Sequence, residues 1–129
     1  MSVTESSCPF CAAVLAGRII AVYGTVYAIY DLYPVTPGHC LIVPFRHTPD
    51  YFTLTDEERR DTEALILTLY ANSRTTDPSI CGVNIGMNCG ETAGQTVPHA
   101  HCHLIPRRKG DTAIPRGGVR GVIPDKMQY

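Results

Sequence analysis

Between residues 99 and 104 the chain alternates strictly: His99, His101 and His103 are polar, while Ala100, Cys102 and Leu104 are apolar. Side chains of a β-strand point to opposite faces with a period of two, so this spacing predicts a strand over residues 98–105. All three imidazoles would leave one face, alternate ones about 6.6 Å apart, and the other face would enter a core. A chain built around such a segment needs a sheet, and it needs a second layer to cover the apolar side. Pro106 cannot donate to a ladder and is expected to end the strand, whereas Pro98 at its start needs an edge or unpaired position.

The remaining sequence supplies partners for that strand. Residues 18–23 and 26–31 flank Gly24-Thr25 and read as a hairpin with a two-residue turn. Pro34, Pro37 and Gly38 mark a loop before a third strand at 39–44, and residues 82–88 read as a fourth. Thr55 and Glu58 form a capping box, and Thr62, Leu65, Ile66, Leu69 and Tyr70 recur at helical spacing, which predicts one amphipathic helix over 56–73. The glycines at 82, 86, 90 and 94 suggest bulges or close backbone approach to a ligand, because Asn84, Asn88 and Glu91 exclude a membrane helix there. The last 18 residues, with Pro115 and Gly117-Gly118, read as mostly irregular. One helix among hairpin-linked strands predicts an α+β domain with an antiparallel sheet.

A chain of 129 residues fits one domain. Hydrophobic residues at 44% and charged residues at 18% match an ordinary globular protein. No apolar run approaches the roughly 18 residues of a membrane span, and residues 1–7 lack the basic and apolar regions of a secretory leader, so a cytoplasmic location without a membrane is expected. The net charge of -1 conceals an asymmetry: residues 1–106 hold five Lys/Arg against ten Asp/Glu, and residues 107–129 hold six against two. That balance argues against a protein that coats nucleic acid. The basic end is either a solvated tail or a contact for a compact polyanion. Arg107, Arg108 and Lys109 follow the histidine-bearing strand and are expected near its exit, where such a polyanion would meet them.

Three imidazoles on one face have two uses: binding a metal, or handling protons and phosphate near neutral pH. A second candidate cluster is Cys8-Pro9-Phe10-Cys11. Such a pair can be redox-active, simply buried, or a metal site; with His47 and His99 it would make a tetrahedral set for Zn²⁺. Cys40, Cys81, Cys89 and Cys102 lie in apolar stretches and are expected to be buried as small hydrophobes.

The segment from Gly94 to Arg107, containing His-Ala-His-Cys-His-Leu-Ile-Pro, resembles the signature of the histidine-triad superfamily, and Ala93–Val97 with Pro106-Arg107 is most similar to its fragile-histidine-triad hydrolase branch. The likeness covers residues 8–111 and leaves 112–129 as a tail whose Arg116-Gly117-Gly118-Val119-Arg120 is similar to some bacterial members. It implies a single domain over 1–129 with five antiparallel strands, one long helix and a short N-terminal helix, paired as a homodimer. It implies further that His101 attacks the α-phosphate of a nucleotide or dinucleotide and becomes transiently nucleotidylated, that His103 contacts the same phosphate, and that His39 supports the site. Gln95 and Thr96 would bond phosphate oxygens or the leaving group, Asp31 the ribose hydroxyls, Asn88 the sugar-phosphate, and Arg107 the substrate. Some relatives, and the galactose-1-phosphate uridylyltransferases, use the first triad histidine as ligand of a structural zinc, which implies Cys8, Cys11, His47 and His99 here. The implied activity is hydrolysis of dinucleoside polyphosphates; the alternatives are phosphoramidate cleavage, nucleotidyl transfer, or a zinc-stabilised nucleotide-binding module.

Overall fold

The computed structural model describes residues 7–129. The expectation about a leader falls almost wholly on residues 1–6, outside the described residues. Strands β1 (Ala21–Tyr23), β2 (Val26–Tyr30), β3 (Cys40–Pro44), β4 (Ile80–Gly86) and β5 (Cys102–Arg108) form one antiparallel sheet in the order β1-β2-β3-β5-β4. Helix α1 (Pro9–Leu15) covers one face and α2 (Asp56–Thr76) the other. The α+β architecture and every expected element are present. No described helix is long and apolar enough to cross a membrane.

The hairpin closes as its sequence requires, with Tyr23 opposite Val26 around Gly24-Thr25. Gly24 has φ +54°, a left-handed conformation natural to glycine, and a Cβ there would collide with the Asp61 carboxylate. That carboxylate reaches across from α2 to accept the Thr25 N–H (2.9 Å) and hydroxyl (2.7 Å), so the turn is fastened to the helix.

Strands β2 and β3 are apolar on both faces because both faces are covered. Tyr27, Ile29, Leu41 and Val43 pack with Phe10 and Ala13 of α1, while Val26, Ala28 and Ile42 pack with Leu65 of α2 and with Cys102. The second layer needed by the apolar side of the histidine segment is thus α2.

Strand β5 departs most from expectation. It starts at Cys102 and runs through Pro106 to Arg108, so His99 and His101 precede the ladder and the proline lies within it. The reason is local. Pro106 sits opposite Val83 of β4, and its carbonyl accepts the Thr36 hydroxyl at 2.6 Å. Within a strand the N and O of one residue point the same way, so the missing N–H faces the side where β3 has already ended, Cys40 being opposite Leu104. No ladder bond is lost. Smaller shifts follow packing: β1 is shorter than expected, β4 begins earlier at Ile80 with an irregularity before Gly82, and α2 continues three residues past 73 to Thr76. The tail folds into two 3-10 turns, Gly118–Val122 and Pro124–Lys126. Of the four cysteines expected to be buried, Cys40 and Cys102 are, but Cys81 is exposed at the β4 irregularity and Cys89 is only partly covered.

The capping box of α2 does more than cap. Thr55 and Glu58 exchange bonds of 2.8 and 3.0 Å, and the buried Glu58 also receives Arg46 at 3.1 and 2.7 Å. Burial pushes the Glu58 carboxyl up, but the Arg46 and Thr55 bonds outweigh it and hold the group below its ordinary value. Its charged form therefore stabilises the fold above the usual carboxylate range, and this part is lost as pH falls through the lowered value. Glu58→Ala should cost about 2 kcal/mol at neutral pH, between an exposed and a fully buried pair. Urea unfolding measures it, and the gap to wild type should shrink below about pH 4; a cost near zero would show that Arg46 is satisfied elsewhere.

Candidate active site

The irregular segment 97–101 brings His99 and His101 to the α1 face, where Leu41, packed under α1, stands opposite His103. The three imidazoles do not project as one row. His99 turns toward the N-terminal cysteines, whereas His101 and His103 line a cleft of about 360 Å³ with Asp31, Asn88 and Thr96. Phe10 separates the two groups, its ring 5.8 Å from His99 and 4.8 Å from His101.

Hydrogen bonds fix the tautomers. A carbonyl oxygen can only accept, so Nδ1 of His101, 2.9 Å from the His99 carbonyl, carries a proton. Burial pushes the His101 pKa down, its bond to His99 and the nearby Asp31 countering in part, so the ring is neutral at pH 7 and Nε2 holds a lone pair. At His39 the order is reversed. Nδ1 accepts the Val35 N–H at 3.0 Å, which leaves the proton on Nε2, 2.9 Å from Nδ1 of His103 and 3.5 Å from Asp31. His103 then accepts at Nδ1 and presents Nε2–H. Burial first, then His101 and His39, push the His103 pKa down, which keeps this ring neutral too. The cleft therefore offers a nucleophilic nitrogen from one histidine and a donor from the next.

Nε2 of His99 donates to the Pro44 carbonyl at 2.8 Å, so its Nδ1 is a lone-pair donor for a metal. This atom lies 3.4 Å from Cys8 Sγ, 3.6 Å from Cys11 Sγ and 3.1 Å from His47 Nδ1, and Cys11 Sγ is 3.4 Å from His47 Nδ1. All four donor atoms fall within 4.8 Å of one another. Zn–N and Zn–S bonds of about 2.0–2.3 Å give tetrahedral edges of about 3.3–3.8 Å. The donor set and its spacing are compatible with zinc.

Other expected residues lie differently. Gln95 braces its loop, accepting the Gly90 N–H at 2.9 Å and donating to the Pro49 and Val97 carbonyls at 2.6 and 3.0 Å, and its side chain is not among those lining the cleft. Asp31 bonds the Tyr33 N–H through one oxygen at 2.7 Å and turns the other toward His39. Arg107 is paired with Asp111 at 2.8 Å and bonded to Asn84 at 2.8 Å; it borders a neighbouring cavity that also contains His103. Arg108 turns to Asp77 and Ser79 and lines neither cavity. Phe10, Val35, Pro44 and Thr48, whose carbonyl holds the Ala100 N–H at 2.7 Å, were missed. Three act through backbone atoms that no side-chain motif reveals, but Phe10 sits inside the quoted cysteine motif.

A neutral imidazole with a lone pair toward the cleft, a neighbouring imidazole donor and four converging Cys and His side chains characterise the site. The HIT domain profile matches residues 14–110, and the chain belongs to this histidine-triad family. It is similar to the AP-4-A phosphorylase of Mycobacterium tuberculosis, 36% identical over 118 residues, which covers 87% of this chain and 58% of that protein. It also resembles the asymmetrical bis(5'-nucleosyl)-tetraphosphatase of Schizosaccharomyces pombe, 40% identical over 90 residues, 65% of this chain and 46% of the relative. The chain thus spans about half the length of these two relatives. Among solved structures, a zinc-bound histidine-triad protein from Mycobacterium smegmatis superposes with a TM-score of 0.74 at 34% identity, covering 84% of this chain and 80% of that one.

The tautomer assignment is open to direct measurement. Nitrogen-15 NMR of the histidine rings at pH 7 should show His101 protonated at Nδ1 and His103 protonated at Nε2; the reverse pattern for His101 would leave no lone pair facing the cleft.

Proposed function

We propose that this chain is a hydrolase acting at the α-phosphate of dinucleoside polyphosphates, with His101 as nucleophile. The observation that carries the reading is the 2.9 Å bond from His101 Nδ1–H to the His99 carbonyl, which commits Nε2 to the cleft as a lone pair. Attack forms the N–P bond and breaks the bond from phosphorus to the bridging oxygen, which leaves with the second nucleotide as an anion. Water then attacks the same phosphorus. The N–P electron pair returns to Nε2, the water proton passes to solvent, and the nucleoside monophosphate is released. His103 Nε2–H offsets charge on the phosphate in both steps, His39 holds that ring in the donating tautomer, and Asp31 and Asn88 bind the ribose and sugar-phosphate. Thr96 lines the cleft and can bond phosphate, whereas Gln95 can do so only by releasing its loop bonds. The names of the two enzymes compared above support a dinucleotide substrate, and the intact pair of opposed tautomers favours turnover over simple binding.

The reading extends to a structural zinc on Cys8, Cys11, His47 and His99. A site closed by four protein ligands leaves no position for an activated water, so the metal would anchor α1 and orient His99. It extends also to one domain in a homodimer that protects the exposed edge strand β4, in the reducing cytoplasm where the cysteines stay thiols.

Two experiments test this. His101→Ala should abolish turnover of diadenosine triphosphate while nucleotide affinity stays within about tenfold, because binding is spread over other groups; retained turnover rejects His101 as nucleophile. Native mass spectrometry should find two 14.1 kDa chains with about one zinc per chain, the metal being lost in Cys8→Ser. A metal-free protein purified without chelator rejects the zinc assignment, and a monomer rejects the dimer.

A further inference from the structure

The cleft that holds His101 is not the only space beside the triad. A second cavity of about 590 Å³ opens on the other side of His103 and Asn88, residues common to the two. Its walls are apolar in Ile85, Ile105, Val119 and Val122 and polar in Asn84 and Arg107. Val119 and Val122 come from the tail and remain 66% and 72% exposed, so the tail presents apolar surface to the cavity without filling it.

The tail is built to hold that position. Gly117 has φ +100°, and a Cβ there would strike the Met127 carbonyl, so only glycine lets the chain fold back on itself. Arg120 Nε donates to the Lys126 carbonyl at 2.9 Å, and Arg116 and Arg120 stand 4.8 and 5.0 Å from the Tyr129 ring. The Arg-Gly-Gly-Val-Arg sequence is thereby accounted for as the scaffold of a wall, with its valine facing the cavity.

We infer that residues 117–122 complete a subsite for the leaving nucleotide of a dinucleoside polyphosphate. This rests on the proposed function. In-line displacement sends the leaving group away from the attacking nitrogen. The second cavity adjoins the cleft at His103 and Asn88 and does not include His101, so it is the neighbouring space into which a group leaving a phosphate held at His103 can pass. A phosphate chain passing His103 and Asn88 enters at the polar end. Arg107 there uses three N–H groups on Asp111 and Asn84, leaving two of a guanidinium's five for phosphate oxygens. The valine and isoleucine walls receive the nucleoside, the usual arrangement of apolar walls with a few placed donors. The chamber thus gives the enzyme a means to prefer two-nucleotide substrates over nucleotides with a small leaving group.

Val119→Trp in the full-length protein fills the chamber from an exposed position, and Gly117→Val displaces the wall by a different route. Each should lower kcat/KM for diadenosine triphosphate about tenfold while adenosine 5′-phosphoramidate, whose leaving group is a small amine, changes by less than about twofold. Thermal unfolding confirms that each variant is folded, and the phosphoramidate rate reports an intact triad in the same sample. An equal loss on both substrates, or an unchanged dinucleotide rate in both variants, overturns the subsite. Wild-type protein that cleaves neither substrate overturns the proposed function itself, and the subsite with it.

Discussion

The hydrogen bond from His99 Nε2 to the Pro44 carbonyl orients everything around the site. His99 is fully buried, and this bond decides which of its nitrogens is a donor. The proton spent on Pro44 leaves Nδ1 facing Cys8, Cys11 and His47, so one side of the ring closes the cluster that ties α1 to the sheet. The peptide oxygen of the same residue accepts Nδ1–H of His101 and sets the other histidine. A side chain and its own carbonyl thus connect a structural cluster to a chemical one, and Phe10, between the two cysteines, contacts both rings.

Such an arrangement has an electrostatic consequence. His39, His99, His101 and His103 all have their pKa values pushed down, with burial the largest cause in each. Burying a neutral imidazole is inexpensive when its nitrogens have partners; one proton per ring gives His39 and His99 a partner on each nitrogen and leaves one nitrogen of His101 and one of His103 for the cleft. A charged ring in the same place would lose more to burial than the nearby Asp31 returns. The fold therefore keeps the histidines neutral by default, which is the state a nitrogen nucleophile requires.

Much of this was legible in the sequence where local rules act alone. The turn at Gly24-Thr25, the Thr55–Glu58 capping box and the apolar runs of β2 and β3 all sit where their patterns put them. Residue types made Cys8, Cys11, His47 and His99 one option for a metal set, and the likeness to relatives that use the first triad histidine as a zinc ligand singled it out. What failed was tertiary. Nothing near Pro106 reveals that β3 stops at Cys40 and frees one side of β5. Nothing near Gln95 reveals that the Pro49 carbonyl holds it, whereas the partner of Arg107, Asp111, lies only four residues on. The tail read as irregular because its order comes from Met127 folding back on Gly117 and Tyr129 on Arg116 and Arg120.

The late start of β5 carries the deepest consequence. Had residues 98–105 been a regular strand, the His99 carbonyl would have been committed to a neighbouring strand or aimed along the ladder, and the three imidazoles would have stood in a row. In the irregular segment that carbonyl is available to a side chain two residues ahead. Ala100 is held instead by the bond from its N–H to the Thr48 carbonyl, in the loop after β3. Pro98 has no N–H to satisfy and so suits a segment outside the ladder. The alternation of histidines then does two jobs in succession. It turns His99 toward Cys8 and Cys11 and His101 into the cleft, and it places His103 on the strand proper, where the sheet fixes it beside His39. Irregular backbone sets His101, and regular backbone sets His103.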